Sequence, residues 1–193
     1  MGSLLKSTLN TRVLPAGDRR FIRSDFPRYL TDDEVEWFRK SDVTTIVDLR
    51  GDAEHENEPC RLEDEEGFTY YHMPVAGNGD MPRTPEEVPD VYIKMIDEQM
   101  DRIIDTIMNA KSRVLFFCNA GKDRTGIVSA LIMKRLGADD QTIIDDYMET
   151  RDNLKDFLKA YVDEHPGVDL NVITPCEMYM RKVLEYLDQN PVC

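Results

Sequence analysis

The sequence predicts an α/β domain: a short, mainly parallel central sheet flanked by helices, with a helix-rich C-terminal half. Three observations predict it. Short β-branched or aromatic runs alternate with helical patterns in the earlier part of the chain, as strands joined by crossover helices do. Apolar stripes at helical spacing dominate the later part. A length of 193 residues, with 41% hydrophobic and 32% charged content, suits one sizeable soluble core, so residues 1–193 read as a single domain.

The first thirty residues carry Arg12, Arg19, Arg20, Arg23 and Arg28 against Asp18 and Asp25. This basic segment reads either as a solvated arm or as a source of arginines facing an anion. Within it, Arg20–Arg23 suits a short strand. Thr31-Asp32-Asp33-Glu34 is a capping box and opens a helix over 32–40. Val43 to Leu49 is nearly continuous in apolar character, as a strand buried on both faces should be. Residues 52–66 are crowded with acids at no metal-ligand spacing and read as a solvated loop with a short helical turn. A strand follows at Phe68 to Met73, then a Gly- and Pro-rich surface loop from Pro74 to Pro89.

One long helix is expected over about 90–110, with Val91, Tyr92, Met95, Ile96, Ile103, Ile104 and Ile107 on its core face. Arg113 to Phe117 is a strand. The helix from Arg124 to Leu136 ends at Gly137, a suitable C′ residue. Asp139 or Asp140 caps the next helix, which carries Ile143, Ile144, Tyr147 and Met148. A further stripe, Leu154, Phe157, Leu158 and Tyr161, runs on to Pro166-Gly167. Thr174-Pro175-Cys176-Glu177 reads as a second capping box that opens the terminal helix.

The chain is organised around Cys118-Asn119-Ala120-Gly121-Lys122-Asp123-Arg124-Thr125-Gly126, a tight loop between a strand and a helix. Such a loop can wrap a phosphate with inward backbone N–H groups, a helix N-terminus and an arginine. The same field stabilises a thiolate on Cys118 and makes it a nucleophile. Arg124 can grip two non-bridging oxygens, Gly121 and Gly126 permit close turns, and the Thr125 hydroxyl lies near in sequence to help the thiolate leave. Asn119, Ala120, Gly121, Lys122, Asp123 and Arg124 are the candidate phosphate-binding residues.

A net charge of −14 argues against nucleic acid and anionic membrane as partners, so attraction for a phosphate must be local. Met1 to Thr11 offers only Leu4-Leu5 as an apolar run, and Lys6 breaks the myristoylation pattern. A cytoplasmic protein without membrane insertion is expected, with Cys60, Cys176 and Cys193 as reduced spectators. His55, His72 and His165 show no ligand or triad spacing.

Cys118 through Gly126 resembles the signature of cysteine-based protein tyrosine phosphatases, a cysteine and an arginine separated by five residues. The stretch Ala120 to Gly126 is similar to the loop of the bacterial and fungal tyrosine/dual-specificity subfamily. Phe21 to Asp25 looks like that subfamily's N-terminal RS segment, Ile46 to Arg50 like its DLR strand, and Asp146-Tyr147 with Thr150 like its DYxxS/T helix. The resemblance implies phosphomonoester hydrolysis through a phosphocysteine on Cys118, with no metal or cofactor. It implies Asp123 as general acid and base; Asp80, in Gly77-Asn78-Gly79-Asp80-Met81-Pro82, is the alternative, on the separate loop many relatives use. The implied substrate is a phosphorylated protein or small phosphomonoester.

Three positions refine the resemblance. Phe117 stands where the family usually has histidine, which predicts a more alkaline thiolate and slower turnover. Lys122 is shared with phosphatases acting on phosphoinositides, but Asn119 is neutral where lipid-directed enzymes often carry a second cation, so phosphotyrosine is favoured. Asp48 and Arg50 are expected near the loop, either holding it by hydrogen bonds or paired with each other. The rivals are a phosphoinositide phosphatase, a pseudophosphatase that binds phosphorylated partners without turnover, and, more weakly, rhodanese-like sulfur transfer.

Overall fold

The computed structural model describes residues 2–76 and 82–190. Among these residues five strands form one sheet: β1 (Arg12–Val13), β2 (Phe21–Ser24), β3 (Val43–Asp48), β4 (Thr69–His72) and β5 (Arg113–Phe117), in the order β1-β2-β5-β3-β4. β2, β5, β3 and β4 run parallel, and the two-residue β1 adds antiparallel to β2. The α/β class expected from the sequence is therefore the observed one.

Central β5 explains the two-sided core. Consecutive strand residues face opposite sides of a sheet, and Phe116 and Phe117 do so: Phe116 packs with the larger core cluster and Phe117 with the smaller. The larger cluster takes apolar faces from α4 (Glu98–Asn109), α5 (Asp123–Arg135), α6 (Asp140–Glu164) and α8 (Glu177–Gln189). The smaller lies under α1 (Asp32–Lys40). In register, Phe117 stands opposite Ser24 of β2 and Asp48 of β3. Three parallel strands thus end together where Cys118 leaves the sheet, the place where ligands bind in open α/β folds.

Local signals explain most helix boundaries. Thr31 and Glu34 form the expected capping box of α1, and a short α2 (Asp52–Asn57) rises within the acidic stretch. Asp139 caps α6, accepting from Thr142 N at 2.9 Å, and Gly137 follows α5 with φ +78°.

Two expectations need correction. The helix expected over about 90–110 is two helices, α3 (Val88–Lys94) and α4, because Asp97 is extended (φ −134°, ψ −176°) and caps α4 by accepting from Met100 N at 2.9 Å. The terminal capping box does not form: Cys176 is the N-cap of α8, and the Thr174 hydroxyl donates to Leu170 O at 2.6 Å, closing α7 (Leu170–Ile173) instead. Among the described residues, no helix is long and apolar enough to cross a membrane.

Candidate active site

Three consecutive carbonyls of the loop after β5 are turned away from its centre. Asn119 O accepts from Phe26 N at 2.9 Å, and Asn10 Nδ2 donates to Gly121 O at 2.9 Å and to Ala120 O at 3.5 Å. Arg23 Nη2 adds a second bond to Gly121 O at 2.8 Å. A trans peptide sets its C=O and N–H on opposite sides, and no cis peptide occurs among the described residues. The N–H groups of Ala120, Gly121 and Lys122 therefore point into the loop, and none of them donates to a partner among the described residues. They form a nest, an arrangement suited to an anion, that leads into the N-terminus of α5. Gly121 has φ +62°, and a Cβ there would stand 2.5 Å from Ser24 O and Asp25 N, so the loop's approach to β2 requires glycine.

The brace behind this loop is ionic. Asp146 on α6 accepts from Arg12 Nε at 2.9 Å and pairs with Arg23, and both arginines are buried. Thr150, one turn further along α6, accepts from Arg12 Nη2 at 2.9 Å. Burial would raise the Asp146 carboxyl, but the Arg23 and Arg12 guanidiniums outweigh it and hold it below the usual range. Burial and the charge of Arg23 lower Arg12 to about 10. Arg12 and Arg23 are thus neither a solvated arm nor anion-facing residues; they clasp α6 to the back of the loop.

On the open side, Glu54 of α2 meets Arg124 through both carboxylate oxygens, with Arg124 Nη2 donating to Oε1 at 2.9 Å and Nη1 to Oε2. Asn119 Nδ2 also donates to Glu54, and Gly51 N donates to Oε2 at 2.7 Å. Burial would raise the Glu54 carboxyl, but the bonds from Arg124 and Gly51 hold it below its ordinary value. Burial opposes the charge on Arg124, yet Cys118 and Glu54 keep the guanidinium above its ordinary value. With both Nη atoms on Glu54, the Nε edge of Arg124 has no partner among the described residues, which leaves it for an anion.

Asp123 opens α5, and its Oδ1 accepts from the Tyr92 hydroxyl and lies 3.2 Å from Lys122 Nζ. Tyr92 is buried, and its hydroxyl also meets that of Tyr147 at 3.0 Å. Burial, then the Asp123 charge, push the Tyr92 phenol far above its ordinary value, so it stays a donor. Oδ2 of Asp123 has no hydrogen-bond partner among the described residues. Cys118 is buried at the floor of a cleft of about 640 Å³, which Asp123 and Arg124 also line. The buried Thr125 hydroxyl has no hydrogen-bond partner among the described residues.

The remaining sequence candidates find other partners. Lys122 Nζ donates to Ile173 O at 2.7 Å, so its ammonium ties the loop to α7 rather than standing open to an anion. Asp48 and Arg50 pair with each other at 2.7 Å, and Tyr70 donates to Asp48 at 2.7 Å. Neither side chain bonds to residues 118–124 among the described residues; Arg50 lies 3.7 Å above the Phe26 ring, which stacks on Phe117. Phe117 is wholly buried in that apolar stack. Gly126 is helical, and a Cβ would meet Tyr147 at an ordinary 3.4 Å. Asp80 lies outside the described residues. Burial pushes the Cys60 thiol up to about 12, which keeps it protonated at neutral pH. His55 and His72 stack at 4.1 Å beside Glu54, and among the described residues no cluster suits a metal ion.

Sequence reasoning missed Glu54, Asn10 and Tyr92. Glu54 was one acid among many, although its place in the first turn after β3 is a usable signal. Tyr92 read only as core.

Known proteins resemble this chain in sequence. A 25% identical protein over 137 residues is the tyrosine-protein phosphatase of Nostoc commune, the match covering 66% of this chain and 47% of that one. The triple specificity protein phosphatase PtpB of Mycobacterium tuberculosis (strain ATCC 25618 / H37Rv) is 41% identical over 59 residues, 31% of this chain and 21% of its own. The chain thus spans about half of the first relative and a fifth of the second. Among solved structures, the human tyrosine phosphatase-like serine/threonine/tyrosine-interacting protein superposes with a TM-score of 0.47 at 17% identity, over 94% of this chain and 97% of that one. The profile of the tyrosine phosphatase family matches residues 13–191, nearly the whole chain, and the chain belongs to that family.

Proposed function

We propose that the protein is a cysteine-dependent phosphomonoester hydrolase acting on protein phosphotyrosine, with dual specificity within its range. The carrying observation is the nest: inward N–H groups of residues 120–122 above buried Cys118, with the Nε edge of Arg124 open beside them. In the first step the Cys118 sulfur attacks phosphorus and the bond to the leaving oxygen breaks. Asp123 gives that oxygen its proton, while the N–H groups and Arg124 stabilise charge on the equatorial oxygens. In the second step water attacks phosphorus, the S–P bond breaks, and Asp123 takes the water's proton. The unpartnered Thr125 hydroxyl supports a role beside the departing sulfur. No step draws on a metal or cofactor.

Asp123 is the proposed acid because Tyr92 and Lys122 hold one carboxylate oxygen and leave the other clear. The engagement of Lys122 by Ile173 supports phosphotyrosine over polyphosphorylated inositol lipids, since it removes a cation from the cleft. The name of the mycobacterial relative supports a range wider than phosphotyrosine alone. Hydrolysis of p-nitrophenyl phosphate that vanadate inhibits and Cys118→Ser abolishes tests the reading, and mass spectrometry of rapidly quenched enzyme should find phosphate on Cys118. Binding of phosphopeptide without turnover would instead indicate a pseudophosphatase. Asp123→Asn should remove the pH dependence assigned to the acid; if Asp80→Asn alone does so, the acid is Asp80.

A further inference from the structure

Among the described residues, eight large hydrophobic side chains are exposed, and four of them line the cleft above Cys118: Leu9, Tyr29, Phe157 and Tyr161. Their exposures are 47%, 73%, 45% and 37%. None belongs to either core cluster, so packing does not account for them. Phe157 and Tyr161 are one turn apart on α6, with rings 6.5 Å apart, and Tyr161 stacks on His165 at 4.2 Å. Exposed apolar groups gathered on one concave site mark a surface that another molecule covers.

We propose that this rim recognises apolar side chains next to the phosphorylated residue of a polypeptide substrate, a refinement that rests on the phosphatase reading above. Continuity carries the argument. A polypeptide that seats a phosphoryl group on Cys118 passes beside the rim, because loop and rim line the same cleft. At about 640 Å³ the cleft falls within the range of about 300–1,000 Å³ that encloses whole ligands, so it accommodates more than one side chain.

Charge selects the polypeptide over a lipid. Arg28 pairs with Glu58, Lys122 is held by Ile173 and Asp123, and Arg124 is shared with Glu54. Among the described residues lining the cleft, each of these cations thus already has an acidic or carbonyl partner that a second phosphate would have to displace, and a net charge of −14 repels an anionic bilayer. An apolar flank on a phosphopeptide meets neither obstacle.

The test uses the full chain carrying Cys118→Ser, which holds a phosphopeptide without turning it over. Fluorescence polarisation should give about tenfold tighter binding to a phosphotyrosine peptide flanked by leucine than to one flanked by serine. Adding Phe157→Ser and Tyr161→Ser should bring that ratio close to one; a ratio within one protein is insensitive to partial loss of folded material. Equal affinity for both peptides in the Cys118→Ser chain overturns the rim proposal, as does a ratio that survives the two rim substitutions. Preferential binding of vesicles containing phosphatidylinositol phosphate overturns it in favour of a lipid. Wild-type hydrolysis of p-nitrophenyl phosphate is measured in parallel. Its absence counts against the phosphatase reading, whereas its presence with equal peptide affinities counts against the rim alone.

Discussion

Asp146→Asn probes the brace beneath the loop. The Asp146 side chain is 2% exposed and stands between Arg23 at 0% and Arg12 at 8%. Asparagine keeps the size and removes the charge, which leaves Arg23 buried without its acidic partner and Arg12 with Glu149 alone, 3.9 Å away. Breaking a buried pair by removing one partner costs about 3–5 kcal/mol. At about 2–4 °C per kcal/mol for a domain of this size, the Tm should fall by roughly 6–20 °C. The pH dependence has a definite sign. Burial raises the Asp146 carboxyl, but Arg23 and Arg12 depress it further, so its folded value lies below the unfolded one of about 3.9. A depressed carboxylate contributes stability that is present above its unfolded pKa and is lost as pH falls through its folded pKa. Wild type should therefore lose stability in acid more steeply than the variant, and the two curves should approach each other. Urea unfolding followed by circular dichroism over a series of pH values measures both effects. A loss below about 1 kcal/mol at neutral pH, or a gap that stays constant on acidification, would refute the bracing argument. Replacing the whole cluster, Arg12→Met with Arg23→Met and Asp146→Leu, should recover much of the lost stability, because no buried charge is then left alone.

Three further outcomes are expected. Glu54→Gln removes the carboxylate that aligns Arg124 and Asn119; hydrogen bonds to charged groups contribute about 1.5–3 kcal/mol, so kcat/KM should fall roughly 10- to 100-fold, and a change under about twofold in steady-state kinetics would count against it. Gly121→Ala should cost about 2–6 kcal/mol from backbone strain and overlap with β2. Gly126→Ala should stay within about 1 kcal/mol, and equal thermal melts for the two glycine variants would contradict the geometry. Tyr92→Phe deletes the donor that fixes Asp123, so kcat for an aryl phosphate should drop about tenfold with KM nearly constant; a change confined to KM would place Tyr92 in binding instead.

Local signals made the candidate phosphate loop legible. Cys118, Gly121 and Arg124 lie within one nine-residue stretch whose flanking strand and helix are both strongly patterned. What surrounds the loop was not legible, because it comes from far along the chain: Glu54 lies 70 residues from Arg124, and Asp146 lies 134 from Arg12. The acidic run around Glu54 has no periodicity that separates a ligand of arginine from solvated neighbours. The break between α3 and α4 was hidden for a different reason: Ile96 and Met100 continue a helical apolar stripe on either side of Asp97, and only the cap geometry reveals the boundary. Thr174 shows the converse, a good local signal overridden when its hydroxyl found the carbonyl of Leu170. Phe117 was read by comparison with a histidine; in the fold it completes an aromatic stack with Phe26 under Arg50.

The unbroken length of α6 has a mechanical consequence. One 25-residue rod carries Asp146 near one end and Phe157 and Tyr161 towards the other. At about 1.5 Å per residue, Phe157 stands roughly 16 Å from the charged clasp. A tilt of about 5° pivoting on that clasp would swing the aromatic ring by roughly 1.4 Å over the length of this arm. Were the ion pairs at the buried end to loosen and let α6 tilt, the cleft mouth would move with it, and changes at Arg12 or Arg23 should be felt in which substrates fit.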